Sequence, residues 1–322
     1  MRSHHSVPIS ARAVRRGTLA VLASAVLFGT TGTARALGPK GTDPLVVGAL
    51  RLIIGGALLT WWALRQVDGA ANWKRVVSSP LGVLCGVGVA GYNACFFFGV
   101  DRAGVAVGTM ITIGSAPVMT GLLGWLVDGT MPGPRWFAAT SLSLAGLTLL
   151  VLFGTGTRPV AEHGKSVVIG AGFALLAAAG YAVYTVLGKR VIGLWGADAF
   201  IGGAFALGAA LLSPVVLVAL ASGHLGWLTS GRGIAMVAWL GIAPTALAYV
   251  LFGRGLQVLA PATVSTLTLA EPVVAAVLGV VVLDEHLTLA GVCGALLVIA
   301  GLALLALAPN RGDVPATVTL QP

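Results

Sequence analysis

Residues 114–124 read GSAPVMTGLLG, and residues 269–279 read LAEPVVAAVLG. Slid by 155 positions, Pro117 falls on Pro272, Val118 on Val273, and Leu123-Gly124 on Leu278-Gly279. Further along, SLAGLTLL at 143–150 meets VIAGLALL at 298–305, which sets Ala145-Gly146-Leu147 against Ala300-Gly301-Leu302. The segments 106–153 and 261–308 are therefore two copies of one module. Repetition at a fixed spacing settles the architecture before any single residue can.

The chain of 322 residues is 57% hydrophobic and only 9% charged, with a mean hydropathy of +0.97. A soluble domain carries about a quarter charged residues. This chain cannot cover a water-facing surface, so its solvent is the bilayer. The natural unit of length becomes the span of about 20 apolar residues. The net charge of +9 does not point to nucleic acid, because the basic residues sit at the ends of apolar runs. Cys85, Cys95 and Cys293 lie inside such runs with no paired spacing. They support neither a disulfide framework nor a metal site, and read as small packing residues.

Ten runs are long enough to span: 18–37, 44–64, 81–100, 104–127, 134–153, 167–188, 197–221, 234–253, 261–283 and 288–308. They divide the chain into a tail 1–17, a first repeat 18–153, a polar linker 154–166, a second repeat 167–308 and a tail 309–322. The linker carries Arg158, Pro159, Glu162, His163 and Lys165. Backbone in hydrocarbon must bond internally, and continuous rather than alternating apolarity favours helices over a barrel.

With the N-terminus inside, twelve basic residues face the cytoplasm: Arg2, Arg12, Arg15, Arg16, Arg65, Lys74, Arg75, Arg135, Lys189, Arg190, Arg254 and Arg311. Six face out: Arg35, Lys40, Arg102, Arg158, Lys165 and Arg232. That bias predicts both termini in the cytoplasm. Five spans per half is odd, so the second half enters the membrane upside down. The expected fold is an all-α integral membrane protein of ten transmembrane helices in two inverted five-helix repeats. Such a repeat implies a transport site near the midplane, between the halves.

The first run has a rival reading. Arg12, Arg15 and Arg16 before an apolar stretch, with Ala34-Arg35-Ala36 behind it, look like a cleavable signal peptide. The run is long for one, however, and AVLFGTTGTAR at 25–35 echoes GYAVYTVLGKR at 180–190. It is read as a retained span.

Several segments carry a resemblance: Ala260-Pro261-Ala262-Thr263, Leu269-Ala270-Glu271-Pro272-Val273, Leu283-Asp284-Glu285-His286-Leu287-Thr288 and Ala300-Gly301-Leu302. With Leu50-Arg51-Leu52 and the looser Gly114-Ser115-Ala116-Pro117-Val118, they resemble the EamA-type domain of the drug/metabolite transporter superfamily. The acid that the family usually shows after the fourth span is Thr130 here, with Asp128 nearby. The resemblance covers about 18–308. It implies ten helices in two inverted repeats, and export of amino acids or other small metabolites across the inner membrane.

Glu271 is the sharpest candidate residue. Ten residues after Pro261, it lies roughly 15 Å deep at 1.5 Å per residue, the middle of a core about 30 Å thick. An ionised carboxylate there is expensive and usually faces a cavity or a partner. It reads either as a proton-coupling or amine-binding site, or as a structural cap for a helix broken at Pro272. Arg51, roughly 10 Å from the outer surface, could bind a carboxylate, take part in coupling by pairing with Glu271, or snorkel outward.

Polar and aromatic residues recur at helical spacing: Phe28, Thr31 and Arg35; Tyr92, Asn93 and Phe96; Thr112 and Ser115; Tyr181, Tyr184 and Thr185; Tyr249 and Phe252; Thr268 and Glu271. The predicted substrate-binding set is Phe28, Thr31, Tyr92, Asn93, Phe96, Thr112, Ser115, Tyr181, Tyr184, Thr185, Tyr249 and Glu271. For any one Thr or Ser, a hydrogen bond to its own helix is the competing reading. Pro117 and Pro272 are expected to kink or interrupt spans four and nine at matched positions. Asp284, Glu285 and His286 are expected to cap the tenth span.

A membrane-embedded enzyme would need clustered acids, histidines or cysteines, whereas His4, His5, His163, His224 and His286 are dispersed in tails and loops. No filter motif suggests a channel. The reading is a secondary transporter with no cofactor and no metal. Its partners are a small-molecule substrate, the bilayer and, in one version, protons. A multidrug or organic-cation exporter of the same fold is the alternative, and a homodimer through glycine-rich faces is left open.

Overall fold

The computed structural model describes residues 10–154 and 167–307. The linker and most of both predicted tails fall outside the described residues. Ten helices are long and apolar enough to cross a membrane. They are Ala11–Leu37, Pro44–Leu64, Pro80–Ala103, Val105–Asp128 and Pro134–Phe153 in the first half. Val167–Trp195, Ala197–Ala221, Gly231–Val258, Pro261–Leu283 and Leu289–Ala306 form the second. No strand occurs among the described residues. The chain is an all-α integral membrane protein of two inverted five-helix repeats.

Local chemistry sets where the helices start. Pro44, Pro80 and Pro134 open spans two, three and five, where a missing N–H costs nothing. Asp43 and Ser79 cap the first two of these. The first span begins at Ala11 rather than 18, because the Ser10 hydroxyl accepts from the Ala13 amide at 3.2 Å. A short helix, Gly69–Ser78, joins spans two and three. It buries Val76 and exposes Lys74 and Arg75. At ten residues it was too short to register as a span.

Packing follows the repeat. Span six lies against spans three and four, and span one lies against spans eight and nine. Span three also touches span seven, as span eight touches span two. Each contact maps onto its partner when the halves are exchanged. The pairs two–seven and five–ten map onto themselves, so they sit on the pseudo-two-fold axis.

Glycine permits the axial contact between spans five and ten. A Cβ on Gly146 would lie 2.5 Å from the Gly294 carbonyl oxygen and 2.6 Å from the Val298 nitrogen. Under the 155-residue offset the same contact recurs as Gly301 against the Ala139 carbonyl, at 2.7 Å. Lipid offers no hydrophobic drive for helix association, so this close backbone approach carries it.

Prolines inside spans free the carbonyl four residues back, and local groups take it up. Before Pro214, Ser213 donates to Ala210 at 2.8 Å. Around Pro244 the helix widens to a π turn over Ile242–Leu247, and Thr245 donates to Leu240 at 2.7 Å. At Pro272 the ninth span breaks into Pro261–Leu267 and Ala270–Leu283. There the Glu271 amide donates to the freed Thr268 carbonyl at 3.0 Å.

Two expectations need correction. Pro117 does not interrupt its helix, which runs unbroken from Val105 to Asp128; only the second copy is broken, at Thr268-Leu269. The acids of the turn between spans nine and ten do not cap span ten. Thr288 does, accepting from the Gly291 amide. Asp284 instead ends span nine in the left-handed region, φ 55°, at the position where the first copy has Gly129, φ 71°.

Leucine at Gly146 or Gly301 is expected to lower stability by about 1–3 kcal/mol or more through overpacking. Gly172→Leu, where a Cβ meets open space, should stay within about 0.5 kcal/mol. Thermal unfolding of the three variants in detergent checks this; equal behaviour would refute the axial contact.

Candidate functional site

All four tyrosines of the chain meet in one cluster of rings. Tyr92 of span three lies 6.1 Å from Tyr181 of span six, centroid to centroid. Tyr184, one helical turn from Tyr181, lies 6.0 Å from Tyr249 of span eight. Phe28 of span one completes that side at 5.1 Å from Tyr249. The rings come from four spans and both repeats, so neither half contains this cluster by itself. Each interdigitates at the spacing that favours tilted or edge-on contact.

Glu271 faces the same region. Its carboxylate is within electrostatic reach of Arg51, Tyr92, Tyr181 and Tyr249. It stands in the first turn of the second segment of span nine, where the helix dipole favours negative charge. Among the described residues the carboxylate accepts no hydrogen bond and forms no ion pair. Arg51 does not pair with it. The guanidinium Nη2 donates instead to Asn93 Oδ1 at 3.1 Å, and the Asn93 amide donates to the Val89 carbonyl at 2.9 Å. Asn93 is therefore satisfied by one bond within its helix and one across to span two.

The remaining predicted residues divide. Phe96 stacks on Tyr92 at 6.2 Å. Thr112 is buried and bridges span four to span six by donating to the Ala174 carbonyl at 3.2 Å. Thr185 donates to the Tyr181 carbonyl and Ser115 to the Ile111 carbonyl, the self-satisfied arrangement of helical Thr and Ser. Thr31 makes no side-chain hydrogen bond among the described residues.

Three further groups touch the same rings. Phe205 sits 4.2 Å from Tyr249, on a span with no polar residue nearby to mark it. Phe252, whose ring lies 6.2 Å from Tyr181, carries the recurring pattern but was left out of the set. Thr268, which shares the recurring pattern with Glu271, accepts from or donates to the Tyr181 hydroxyl at 3.4 Å.

Two cavities lie elsewhere. A groove of about 440 Å³ runs between spans two and seven, lined by Ile53, Ala57, Trp61, Leu64 and Ala209. A pocket of about 60 Å³ lies beside Asp128, Thr130 and Pro261. Neither contains Glu271 or the tyrosines.

At one end of the bundle, one side-chain contact joins the halves and another lies within the second half. Arg190 of span six reaches Asp128 at the end of span four, Nη2 at 2.8 Å and Nε at 3.2 Å. The Lys189 ammonium donates to the Leu256, Gln257 and Leu259 carbonyls, at 2.6, 2.7 and 3.1 Å, where span eight ends.

Comparison with known proteins places this geometry. Residues 15–152 and 168–307 match the model of the EamA-like transporter family. The uncharacterized transporter YwfM of Bacillus subtilis is 36% identical over 296 residues, 91% of this chain and 95% of that protein. The uncharacterized inner membrane transporter YicL of Salmonella typhimurium is 26% identical over 303 residues, 92% and 97% of the two chains. One crystal structure superposes with a TM-score of 0.72 at 23% identity, covering 90% of this chain and 96% of that one; it shares the fold.

The Tyr184 hydroxyl is buried, the residue being 2% exposed, and has no hydrogen-bond partner. An unsatisfied buried hydroxyl costs about 1–3 kcal/mol. Tyr184→Phe is therefore expected to raise the thermal unfolding temperature, and a lowered one would show that the hydroxyl is bonded.

Proposed function

Because the chain belongs to the EamA-like transporter family, we propose that it is a secondary transporter of the inner membrane that exports amino acids or related small metabolites by alternating access. The observation that carries this reading is Glu271: a carboxylate with no hydrogen-bond or ion-pair partner among the described residues, midway through a broken helix, among the rings of both repeats. A carboxylate in that setting can hold a proton or the ammonium of a substrate, and release either when the path opens to the other side. Proton coupling then means that one group serves both in turn. The repeats at 18–153 and 167–308 are the bodies that rock, with both termini in the cytoplasm.

A second reading has its own support. Aromatic faces around an acid also suit an organic cation, so a multidrug exporter of the same fold remains the alternative. An enzyme does not fit as well, since the titratable groups of the site are one carboxylate, tyrosines and an arginine, with no nucleophile beside a base.

The contacts at the cytoplasmic end support a closure that must open in each cycle. Both partners of the Arg190–Asp128 pair are substantially exposed, at 46% and 37%. Exposed pairs of this kind are worth about 0.2–1 kcal/mol, weak enough to break repeatedly.

Glu271→Gln is expected to remove the response of transport to an imposed pH gradient in proteoliposomes and to weaken exchange of substrate across the membrane, since the same carboxylate holds the substrate's ammonium. Unchanged pH dependence would end the coupling role. Asp128→Asn should shift the transport rate by about 1.4- to five-fold, the range that a pair of about 0.2–1 kcal/mol allows; a complete loss would mean that the pair does more than close the inner end.

A further inference from the structure

Arg35 and Arg190 are repeat-mates, 155 positions apart, and their surroundings differ in one respect that matters. Arg190 has its carboxylate in Asp128. The position that matches Asp128 in the second copy is Leu283, so Arg35 has no equivalent acid. Its Nε is buried and lacks a hydrogen-bond partner. Asp43 is within electrostatic reach of it. That carboxylate is occupied in capping span two, where it accepts from the Leu45 and Val46 amides at 2.8 and 3.3 Å, and it forms no ion pair with Arg35.

Arg51 repeats the pattern. It too is within electrostatic reach of Arg35. One of its nitrogens is used on Asn93, while its Nε is buried and unpartnered. Two guanidinium groups of like charge thus stand near each other, each with an idle buried donor. Proteins rarely leave buried donors unsatisfied, and like charges repel. Glu271 lies within reach of Arg51 but does not pair with it. What the two arginines lack is a planar anion with two oxygens, the group that a guanidinium fork binds through parallel N–H bonds.

We infer that Arg35 and Arg51 form an anion subsite of the transport path, and that it receives the carboxylate of the substrate. The substrates are then small carboxylates, and amino acids in particular, whose ammonium end is left to Glu271. The inference rests on the transporter reading above and narrows it, since two positive charges on the path disfavour organic cations. A lysine could replace the charge at either position but not the fork.

The test measures thermal unfolding of the purified protein with three ligand mixtures: the proteinogenic L-amino acids, their α-carboxamides, and the corresponding decarboxylated amines. The amino acids are expected to raise the unfolding temperature of the wild type, and the other two mixtures to leave it unchanged. Arg35→Gln and Arg51→Gln should each abolish that shift, and Arg35→Gln should do so without lowering the unfolding temperature of the unliganded protein. Arg35→Lys should keep it with an apparent affinity about tenfold weaker, the scale of one charged hydrogen bond. Equal stabilisation by amides or amines, no stabilisation by the carboxylates, or an undiminished shift in Arg35→Gln would each overturn the subsite. Stabilisation and counterflow with amines alone would do so while leaving the transporter reading intact, whereas silent proteoliposomes with all three mixtures would remove both.

Discussion

A backbone carbonyl in hydrocarbon has no water to turn to, and most features of this fold answer to that constraint. It makes every crossing a helix. It also governs where a helix can depart from regularity. At three interior prolines the freed carbonyl is taken by a neighbouring group: Ser213 at Pro214, Thr245 at Pro244, and the Glu271 amide at Pro272. The break in span nine is possible because its loose ends are paired locally. Glu271 owes its position to that pairing, since its amide holds the break together while its carboxylate stays unbonded.

The second constraint is how such helices adhere. With lipid outside as apolar as the side chains, cohesion comes from close backbone approach. The contacts of Gly146 with Gly294 and of Gly301 with Ala139 are one interaction written twice by the duplicated sequence. The scaffold is therefore symmetric where it packs. It is asymmetric where it can act. Ala116 matches Glu271, Asp128 matches Leu283, and an arginine with a carboxylate matches an arginine without one. Duplication supplied two equivalent positions, and the differences between them mark the residues that packing does not require.

Much of the site could be read in advance, because polar groups stand out in an apolar chain. Glu271, Arg51, Asn93 and the four tyrosines were legible for that reason. Phe205 was not, since a phenylalanine in a hydrophobic span looks like lipid-facing bulk until another span brings Tyr249 to it. The threonines are harder to read from sequence. Thr112 and Thr185 look polar, yet their hydroxyls serve a neighbouring or an internal carbonyl. The matched prolines part company: the ninth span breaks and the fourth is not interrupted, although both lose the same hydrogen bond.

By itself the sequence determined the number of spans, the two repeats and their inversion, because hydropathy, length and an odd count per half are properties of the chain alone. It also determined which buried group is costly, since depth follows from residue spacing. Only the tertiary structure decided that Arg51 bonds to Asn93 rather than to Glu271, that the tyrosines converge, and that Arg190 finds an acid while Arg35 does not. Those outcomes depend on which faces of distant helices meet, and helical periodicity gives each face without saying what it will be pressed against.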